Sequence, residues 1–278
     1  MRAAAACNVT QPTLSAGIKQ LEESLGVLIV ERRQRFVGFT PEGERVLAWA
    51  QRMLVDYGSL TQELSEMREG LSGQLRISAI PVSLPSLAML TTPFGAIHPK
   101  TRFQIISQPS IEIQRELDDF TIDVSLTYLD NEPLSRVRTV PLYRERYVLI
   151  THEASGFSGL KSISWAKAAT LPLCLLTPSM QNRRIIDTQF RAAGAQVNTV
   201  METNSLVTLW THLLFGQLSS VVPQTFLLLF EQKRGLVSIP LVDPEAFHTV
   251  GLVAADRPRV DTVAWQVRIR REISLGSL

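Results

Sequence analysis

Residues 3 to 25, AAAACNVTQPTLSAGIKQLEESL, contain two helix-forming stretches joined by a short turn. Asn8 tolerates the left-handed turn conformation, and Thr10 is a suitable N-cap with Pro12 in the first turn of the next helix. That second helix carries apolar residues at spacings of 4, 3 and 4, which predict one buried stripe facing the alanine-rich first helix. These residues are Leu14, Ile18, Leu21 and Leu25. The pattern is typical of a helix-turn-helix.

The opposite face of this second helix is polar. A helix that exposes Gln, Ser, Thr and Lys near its N-terminus can enter the major groove of DNA, where Gln reads adenine edges and hydroxyl and ammonium groups meet phosphates. The candidate DNA-contacting residues of this segment are Thr10, Gln11, Pro12, Thr13, Ser15 and Lys19.

The basic residues favour the same end of the chain. The formal net charge is only +2, but residues 1–40 hold five basic and three acidic side chains, whereas residues 41–71 hold three basic and six acidic ones. Arg32, Arg33 and Arg35 follow the second helix in a segment that closes at Thr40, and guanidinium groups there can reach phosphates or a minor groove. These three arginines and Thr40 are further candidate DNA contacts. The alternative interpretation is a solvated charged loop.

A long helix is predicted next. Thr40 and Pro41 form an N-cap and first-turn pair, and no further proline occurs before Pro81. Apolar residues recur along it at spacings of 4 and 3, which is the seam of a heptad coiled coil and predicts a dimer. These residues are Val46, Ala50, Met53, Tyr57, Leu60, Leu64, Met67 and Leu71. Packing of this stripe on the chain's own following domain is the alternative.

From Gly73 onward, strand-like and helix-like segments alternate. The order βαβαβ predicts a parallel sheet covered on both faces, and a second set after about Thr151 predicts a second lobe. RVRTVPLYRERYVLIT is interpreted as the first crossover, and FHTVGLVAA with a helix from Thr262 as the return to the first lobe. A ligand between such lobes would lie at strand C-termini and helix N-termini, which favour anions.

The loops at those strand ends give the candidate effector pocket. Its residues are Ile80, Pro81, Val82, Ser83, Ser110, Thr127, Tyr128, Thr177, Ser179, Met180, Gln181, Asn182, Thr203, Asn204, Ser205, Val222 and Pro223. Each hydroxyl or amide among them has the alternative role of a helix cap. Arg183 and Arg184 are interpreted either as groups facing an acidic ligand or as ordinary surface arginines.

VTQPTLSAGIKQLEESLG and the following GVLIVERRQRFVGFT resemble the recognition helix and wing of the LysR-type transcriptional regulators, and the resemblance extends over the whole chain. It implies a partial winged helix-turn-helix at residues 1–40, a linker and dimerisation helix at 41–72, and a two-lobed, periplasmic-binding-protein-like α/β effector domain at 73–278. Lobe I would span about 73–150 and 251–278, and lobe II about 151–250. Ala16 and Gly17 depart from the residues common in the family, so the operator sequence is not inferred.

The resemblance also implies partners. These are double-stranded DNA, a small-molecule effector that is frequently an organic acid, a second copy of the chain in a dimer or tetramer, and RNA polymerase. The family's first helix is absent from this sequence, and a start assigned too far downstream is the expected reason. A ligand-binding dimerisation module without DNA binding is the alternative if the start is genuine.

Other classes of function have little support. No apolar run approaches the roughly 18 residues of a membrane span, and no signal peptide is recognised, so a cytoplasmic protein without membrane contact is expected. Cys7 and Cys174 are far apart and support neither a disulfide framework nor a zinc site, and the paired cysteines of the family's peroxide sensors are absent. The four histidines are scattered. No metal, cofactor or catalytic residue is predicted, although an enzyme on the same two-lobed architecture remains an alternative.

Overall fold

The computed structural model describes residues 3–4, 7–32, 36–69, 73–229 and 235–256 of the 278-residue chain. The chain divides into two compact units, Met1–Thr61 and Gln62–Leu278, which are considered separately below. Among the helices in the described ranges, none combines the length and apolar character needed to cross a membrane.

The first unit contains a helix, a hairpin and the start of a long helix. Helix α1 (Gln11–Leu25) begins at Thr10, whose side chain accepts from the Thr13 N–H, and ends at Gly26 in the left-handed region. Strands β1 (Val30–Arg32) and β2 (Phe36–Phe39) form an antiparallel hairpin, and helix α2 (Pro41–Glu69) follows it. Asn8 has a φ of 52°, which confirms the left-handed turn predicted before α1.

The apolar stripe of α1 is less buried than predicted. Leu14 and Ile18 are half-buried, but Leu21 and Leu25 are 43% and 50% exposed. The prediction of one buried stripe is therefore wrong for its C-terminal half. The described part of this unit offers two helices and a short hairpin, which is too little apolar surface to cover all four side chains.

In the second unit, lobe I is built on a five-stranded sheet. Strand β3 (Gly73–Ala79) pairs in parallel with β4 (Thr101–Ser107) and β5 (Val124–Tyr128), and helices α3 (Leu84–Ile97) and α4 (Ser110–Asp118) connect them. Strands β6 (Val137–Glu145) and β13 (His248–Ala255) complete the order β4-β3-β5-β13-β6.

The sheet of lobe I is mixed, whereas the sequence predicted a parallel one. Strand β13 runs antiparallel to both β5 and β6. The reason is topological: β13 re-enters lobe I from the opposite direction after the chain has built lobe II, so the βαβ rule that governs the first three strands does not apply to it.

Lobe II lies between β6 and β13 in the sequence. Strands β7 (Tyr147–His152), β8 (Ile163–Ser164), β11 (Ser220–Pro223) and β12 (Leu236–Val242) form a four-stranded sheet of order β11-β7-β12-β8. Strands β9 (Leu173–Leu176) and β10 (Thr199–Thr203) pair in parallel, and a bridge from Leu173 to Ser219 joins them to β11. The helices are α5 (Trp165–Ala168), α6 (Gln181–Ala192) and α7 (Leu206–Phe215).

Within the described residues, the chain passes between the lobes twice. The first connection is at Arg146, between β6 and β7, and the second runs from β12 to β13 through residues 243–247. Both connections were predicted. The segment RVRTVPLYRERYVLIT, which was interpreted as the first crossover, forms two strands, β6 and β7, in different sheets. Elements β8, α5 and β12 were not predicted. The helix expected from Thr262 lies outside the described residues.

Candidate functional site

The polar face of α1 is exposed. Gln11, Pro12, Thr13, Ser15 and Lys19 are all exposed, as is Thr10 at the cap. The Thr10 hydroxyl lies 2.8 Å from the Thr13 hydroxyl, so these two residues order the start of the helix. Lys19 forms an exposed ion pair of 3.5 Å with Glu23, one turn later. The N-terminal half of α1 therefore presents amide, hydroxyl and ammonium groups together, the set that can contact base edges and phosphates.

Hydrogen bonds and close packing hold the hairpin against α1 and α2. The buried Glu22 carboxylate on α1 accepts from the Ile29 N–H at 2.9 Å and the Val30 N–H at 3.2 Å. Thr40 caps α2 by accepting from the Gly43 N–H at 2.9 Å, which confirms the predicted cap. A Cβ on Gly43 would lie 2.0 Å from the Ile29 carbonyl oxygen, so α2 approaches the hairpin closely. Arg33 and Arg35 lie outside the described residues, and Arg32 is the last residue of β1.

Two polar contacts join the lobes where β5 ends and α6 begins. Thr127 donates to the Gln181 side-chain oxygen at 3.2 Å, and Asn182 donates to the Tyr128 hydroxyl at 3.1 Å. All four side chains are buried, at 1–3% exposure. The structure thus brings together four of the predicted effector residues, two from each lobe.

The start of α6 has unused hydrogen-bonding capacity among the described residues. Its N-cap residue is Met180, whose side chain makes no capping hydrogen bond, and the buried Gln181 Nε2 has no acceptor. A buried amide nitrogen without an acceptor is costly, and first-turn N–H groups favour anionic or strongly polar ligands. This end of α6 therefore has hydrogen-bonding groups that a polar or anionic ligand could use.

A hydrogen-bonded chain leads from the cleft to the first connection between the lobes. Asn182 donates to Tyr128, and Tyr128 donates to the Glu145 carboxyl at 2.7 Å. Thr225 donates to the other Glu145 oxygen. Burial raises the pKa of Glu145 to about 7, although both hydrogen bonds act in the opposite direction. Burial also raises the pKa of Tyr128.

A second link between the lobes is an ion pair. Arg184 on α6 donates to both oxygens of Glu132, which follows β5, at 2.6 Å each. Arg184 also donates to the Ser110 hydroxyl at 3.1 Å. The hydrogen bonds from Arg184 lower the pKa of Glu132. Arg184, which the sequence suggested as a partner for an acidic ligand, is thus already paired with the carboxylate of Glu132.

Arg183 is held within lobe II. Its guanidinium pairs with Asp187 at 2.7 Å and Glu202 at 2.6 Å, and donates to the Leu176 carbonyl at 2.6 Å. The side chain is 10% exposed. With two carboxylate partners, Arg183 positions the start of α6 against β9 and β10 and is not a free cation for a ligand.

The other predicted effector residues have mainly local contacts. Ser83 donates to the Ile80 and Leu126 carbonyls, Thr177 pairs with Ser179 at 3.0 Å, and Ser205 caps α7. Val222 pairs with Val148 within the core of lobe II. Pro81 and Val82 lie in a 3-10 turn after β3, and Asn204 is exposed before α7.

Sequence reasoning missed two acidic residues of the site, Glu132 and Glu145. A signal for Glu145 was present in the run PLYRERYVLI, because the two-residue period of a strand places Glu145 on the same face as Tyr143 and Tyr147, opposite Arg144 and Arg146. Glu132 lies in the loop after β5 and carried no such signal, since its partner Arg184 is 52 residues away in the sequence.

The architecture defines the class of protein: an N-terminal helix-hairpin unit with an exposed polar helix, followed by a two-lobed α/β domain with a polar interlobe cleft. Two family models match it. Residues 1–44 match the bacterial regulatory helix-turn-helix proteins of the LysR family, and residues 68–268 match the LysR substrate binding domain. The chain belongs to the LysR family of transcriptional regulators.

Several relatives share this organisation. The DNA-binding transcriptional dual regulator OxyR of Escherichia coli K12 is 29% identical over 276 residues, covering 98% of this chain and 90% of the relative. The solved structure of a full-length cysteine-to-aspartate variant of OxyR from Pseudomonas aeruginosa has a TM-score of 0.74 at 26% identity, covering 99% of this chain and 92% of that one. Full-length CbnR, solved with its target DNA, shares the fold at a TM-score of 0.68 and 20% identity, covering 98% and 93%.

Proposed function

We propose that this chain is a homodimeric transcription regulator that binds double-stranded DNA through α1 and the hairpin and binds a small-molecule effector between its two lobes. One observation carries the proposal: the same chain has an exposed polar helix face and a cleft in which buried polar side chains join the two lobes. Assembly into tetramers and contact with RNA polymerase are further proposals. The expected location is the cytoplasm.

The DNA-contacting residues in this proposal are those of the exposed face of α1 and of the hairpin. Residues 1–40 form the DNA-binding part, residues 41–72 the linker and dimerisation helix, and residues 73–278 the effector domain. Thr40 contributes by holding α2 against the hairpin, because its hydroxyl is already engaged as a cap and as a donor to the Leu28 carbonyl.

In the cleft, Thr127, Tyr128, Gln181 and Asn182 are the proposed effector contacts, with Ser110 beside the Arg184–Glu132 ion pair. An acidic effector would have to compete with Glu132 for Arg184. An uncharged polar effector would instead use Gln181 Nε2 and the start of α6 without breaking the ion pair. Effector binding changes DNA affinity only if it favours one arrangement of the assembled protein over another.

Effector recognition in this proposal does not use a thiol switch. Several curated relatives are hydrogen peroxide-inducible genes activators, including the one of Haemophilus influenzae, which is 27% identical over 262 residues. This chain has two cysteines, of which Cys7 is exposed in the first unit and Cys174 is buried on β9. Burial raises the pKa of Cys174, which keeps the thiol protonated and unreactive.

The test is DNA binding by the full chain on the DNA flanking its own gene, measured by fluorescence anisotropy across a salt series. We expect the affinity to fall steeply with salt, and Gln11→Ala and Arg32→Ala to weaken binding, the latter reducing the log–log salt slope by about 1. Arg102→Ala, at an exposed arginine on β4, is the matched control and should bind as the wild type does.

Salt-insensitive binding, or equal binding by all three variants, would contradict the proposed DNA interface. A chain that dimerises and binds a ligand but ignores DNA would instead favour the ligand-binding dimerisation module.

A further inference from the structure

A surface depression of about 290 Å³ lies where the chain passes between the lobes. Its walls include Arg146 of the first connection, Tyr147 and Val148 at the start of β7, and Glu245–Phe247 of the second connection. The remaining wall residues belong to lobe II: Gln224, Leu227, Ser238, Pro240, Leu241 and Val242. None of the proposed effector contacts in the cleft lines it, so the depression is a separate feature of the domain.

Two arginines are held at this depression by an aromatic ring. The guanidinium carbons of Arg144 and Arg146 lie 4.7 Å and 4.8 Å from the centroid of the Phe247 ring. Both side chains are exposed, and within the described residues neither forms an ion pair with a carboxylate. Stacking fixes the planar guanidinium group while its N–H edge stays available to an oxyanion.

The other walls restrict the class of ligand. Val148, Leu227, Pro240 and Leu241 supply apolar surface, and the Gln224 side chain is exposed at the rim. Glu245 also lines the depression, but its carboxylate pairs with neither guanidinium. The volume is close to the lower end of the range for small-molecule sites, roughly 300–1,000 Å³. Together these features fit a compact molecule with an apolar body and one anionic group.

We propose that this depression is a second ligand site, selective for a small carboxylic acid with an apolar body, whose carboxylate pairs with Arg146 beside the Arg144–Phe247 stack. This goes beyond the cleft site, because it adds a second ligand to the same domain and places it on the segments that join the lobes.

The proposed site contacts both segments that join the lobes, so a bound ligand can change how the lobes are arranged. Its walls come from both connections, and the Tyr147 hydroxyl lies 3.2 Å from the His248 Nδ1, which holds together the starts of the two strands that follow the connections, β7 and β13. A bound acid contacts both segments, so its affinity depends on their separation. By reciprocity, the acid shifts the lobes toward the arrangement that it binds better, and effector binding in the cleft changes the affinity for the acid.

The experiment uses the full chain and the probe 4-fluorobenzoate, with binding followed by broadening of its ¹⁹F resonance. We expect saturable binding that Arg146→Gln and Phe247→Leu each weaken by about tenfold or more, because each removes the carboxylate's charged partner or its support. Arg146→Lys should bind at an intermediate level, since it keeps the charge but loses the planar fork.

Two controls make the outcome decisive. Arg102→Gln, an exposed arginine on β4, should bind 4-fluorobenzoate as the wild type does, and 4-fluorobenzamide, which lacks the charge, should bind at least about tenfold more weakly. Absence of binding, equal binding of the amide, or wild-type binding by both Arg146→Gln and Phe247→Leu would overturn the proposal. The measurement needs no DNA, so its result is independent of the proposed DNA interface.

Discussion

Glu145 combines an ionisable carboxyl group with almost complete burial. It is 2% exposed, and its two oxygens accept from Tyr128 of lobe I and Thr225 of lobe II. Because desolvation outweighs these two hydrogen bonds, the native state holds a proton at pH values where the unfolded chain has released it. The carboxyl group therefore couples the stability of this domain to pH.

Replacing Glu145 by Gln should remove this coupling. The pKa rises from 4.5 in the unfolded chain to about 7 in the native state, so the native state binds more protons in between, and wild-type stability falls as the pH rises through that interval. The total loss is at most about 3 kcal/mol. We expect thermal unfolding of Glu145→Gln to show a flatter pH dependence between about pH 4 and about pH 8, an interval that contains both pKa values.

The control for this prediction is Glu112→Gln, at an exposed carboxylate on α4, which should keep the wild-type pH dependence. An unchanged pH slope in Glu145→Gln would show that the buried carboxyl group does not titrate in this interval.

Glu132 and Arg184 form the ion pair that spans the cleft. Their side chains are 41% and 35% exposed, so the pair is screened, and we expect Glu132→Gln to cost about 0.5–1 kcal/mol. The loss should be local: amides near residues 178–184 should exchange with deuterium up to about fivefold faster. Asp118→Asn breaks an Arg136–Asp118 pair of equal carboxylate exposure within lobe I, and should leave exchange at 178–184 unchanged. Equal amide protection at residues 178–184 in Glu132→Gln and the wild type would show that the ion pair does not stabilise this segment.

At the scale of elements, α2 exposes a stripe of large apolar side chains. Met53, Tyr57 and Leu60 are 65%, 67% and 46% exposed, and all three were predicted in the dimer seam. Trp49, four residues before Met53, is 61% exposed and lies on the same stripe, at the level where the heptad pattern predicts Ala50. The side chains of Leu64 and Met67, and all of Leu71, lie outside the described part of the chain. Such a stripe on one chain is what a symmetric partner would cover.

Tyr57→Glu should therefore dissociate the dimer. A carboxylate placed in a partner-covered seam must be buried without a counter-ion, and we expect the dimer dissociation constant to rise by about a hundredfold. Ala48→Glu, on the opposite side of α2, is the matched control and should leave the constant unchanged. Sedimentation equilibrium measures both. An unchanged molecular mass for Tyr57→Glu would favour packing of the stripe on the chain's own second unit.

Elements with strong local signals were predictable, and elements defined by distant partners were not. Thr40 and Pro41 mark the start of α2, and the spacing of turns from Gly73 to Tyr128 predicts the first βαβαβ units correctly, because caps and periodicity are local properties. Strand β12 and the antiparallel placement of β13 depend on pairing with β7, β5 and β6, far away in the sequence. In the cleft, the ends of β5 and α6 were predictable as strand and helix termini, but the pairing of Glu132 with Arg184 was not.

At the scale of the whole molecule, the proposed absence of a thiol switch gives a prediction about hydrogen peroxide. Cys7 is exposed in the first unit, whereas Cys174 is fully buried in the second. We expect hydrogen peroxide to leave the DNA affinity unchanged, and the double variant Cys7→Ser/Cys174→Ser to respond as the wild type does, by anisotropy. A Cys7–Cys174 disulfide in non-reducing mass analysis, or a peroxide response lost in the double variant, would contradict this.

The late return of the chain to lobe I also affects how the protein is made. Strand β13 lies between β5 and β6 and pairs with both, yet it is translated about a hundred residues after β6. While the ribosome synthesises lobe II, the edges of β5 and β6 lack their shared neighbour and are exposed to wrong pairing. Lobe II, whose strands are consecutive between β6 and β13, can fold first. Slow or truncated synthesis near residue 248 should therefore leave nascent chains dependent on chaperones until β13 closes the sheet.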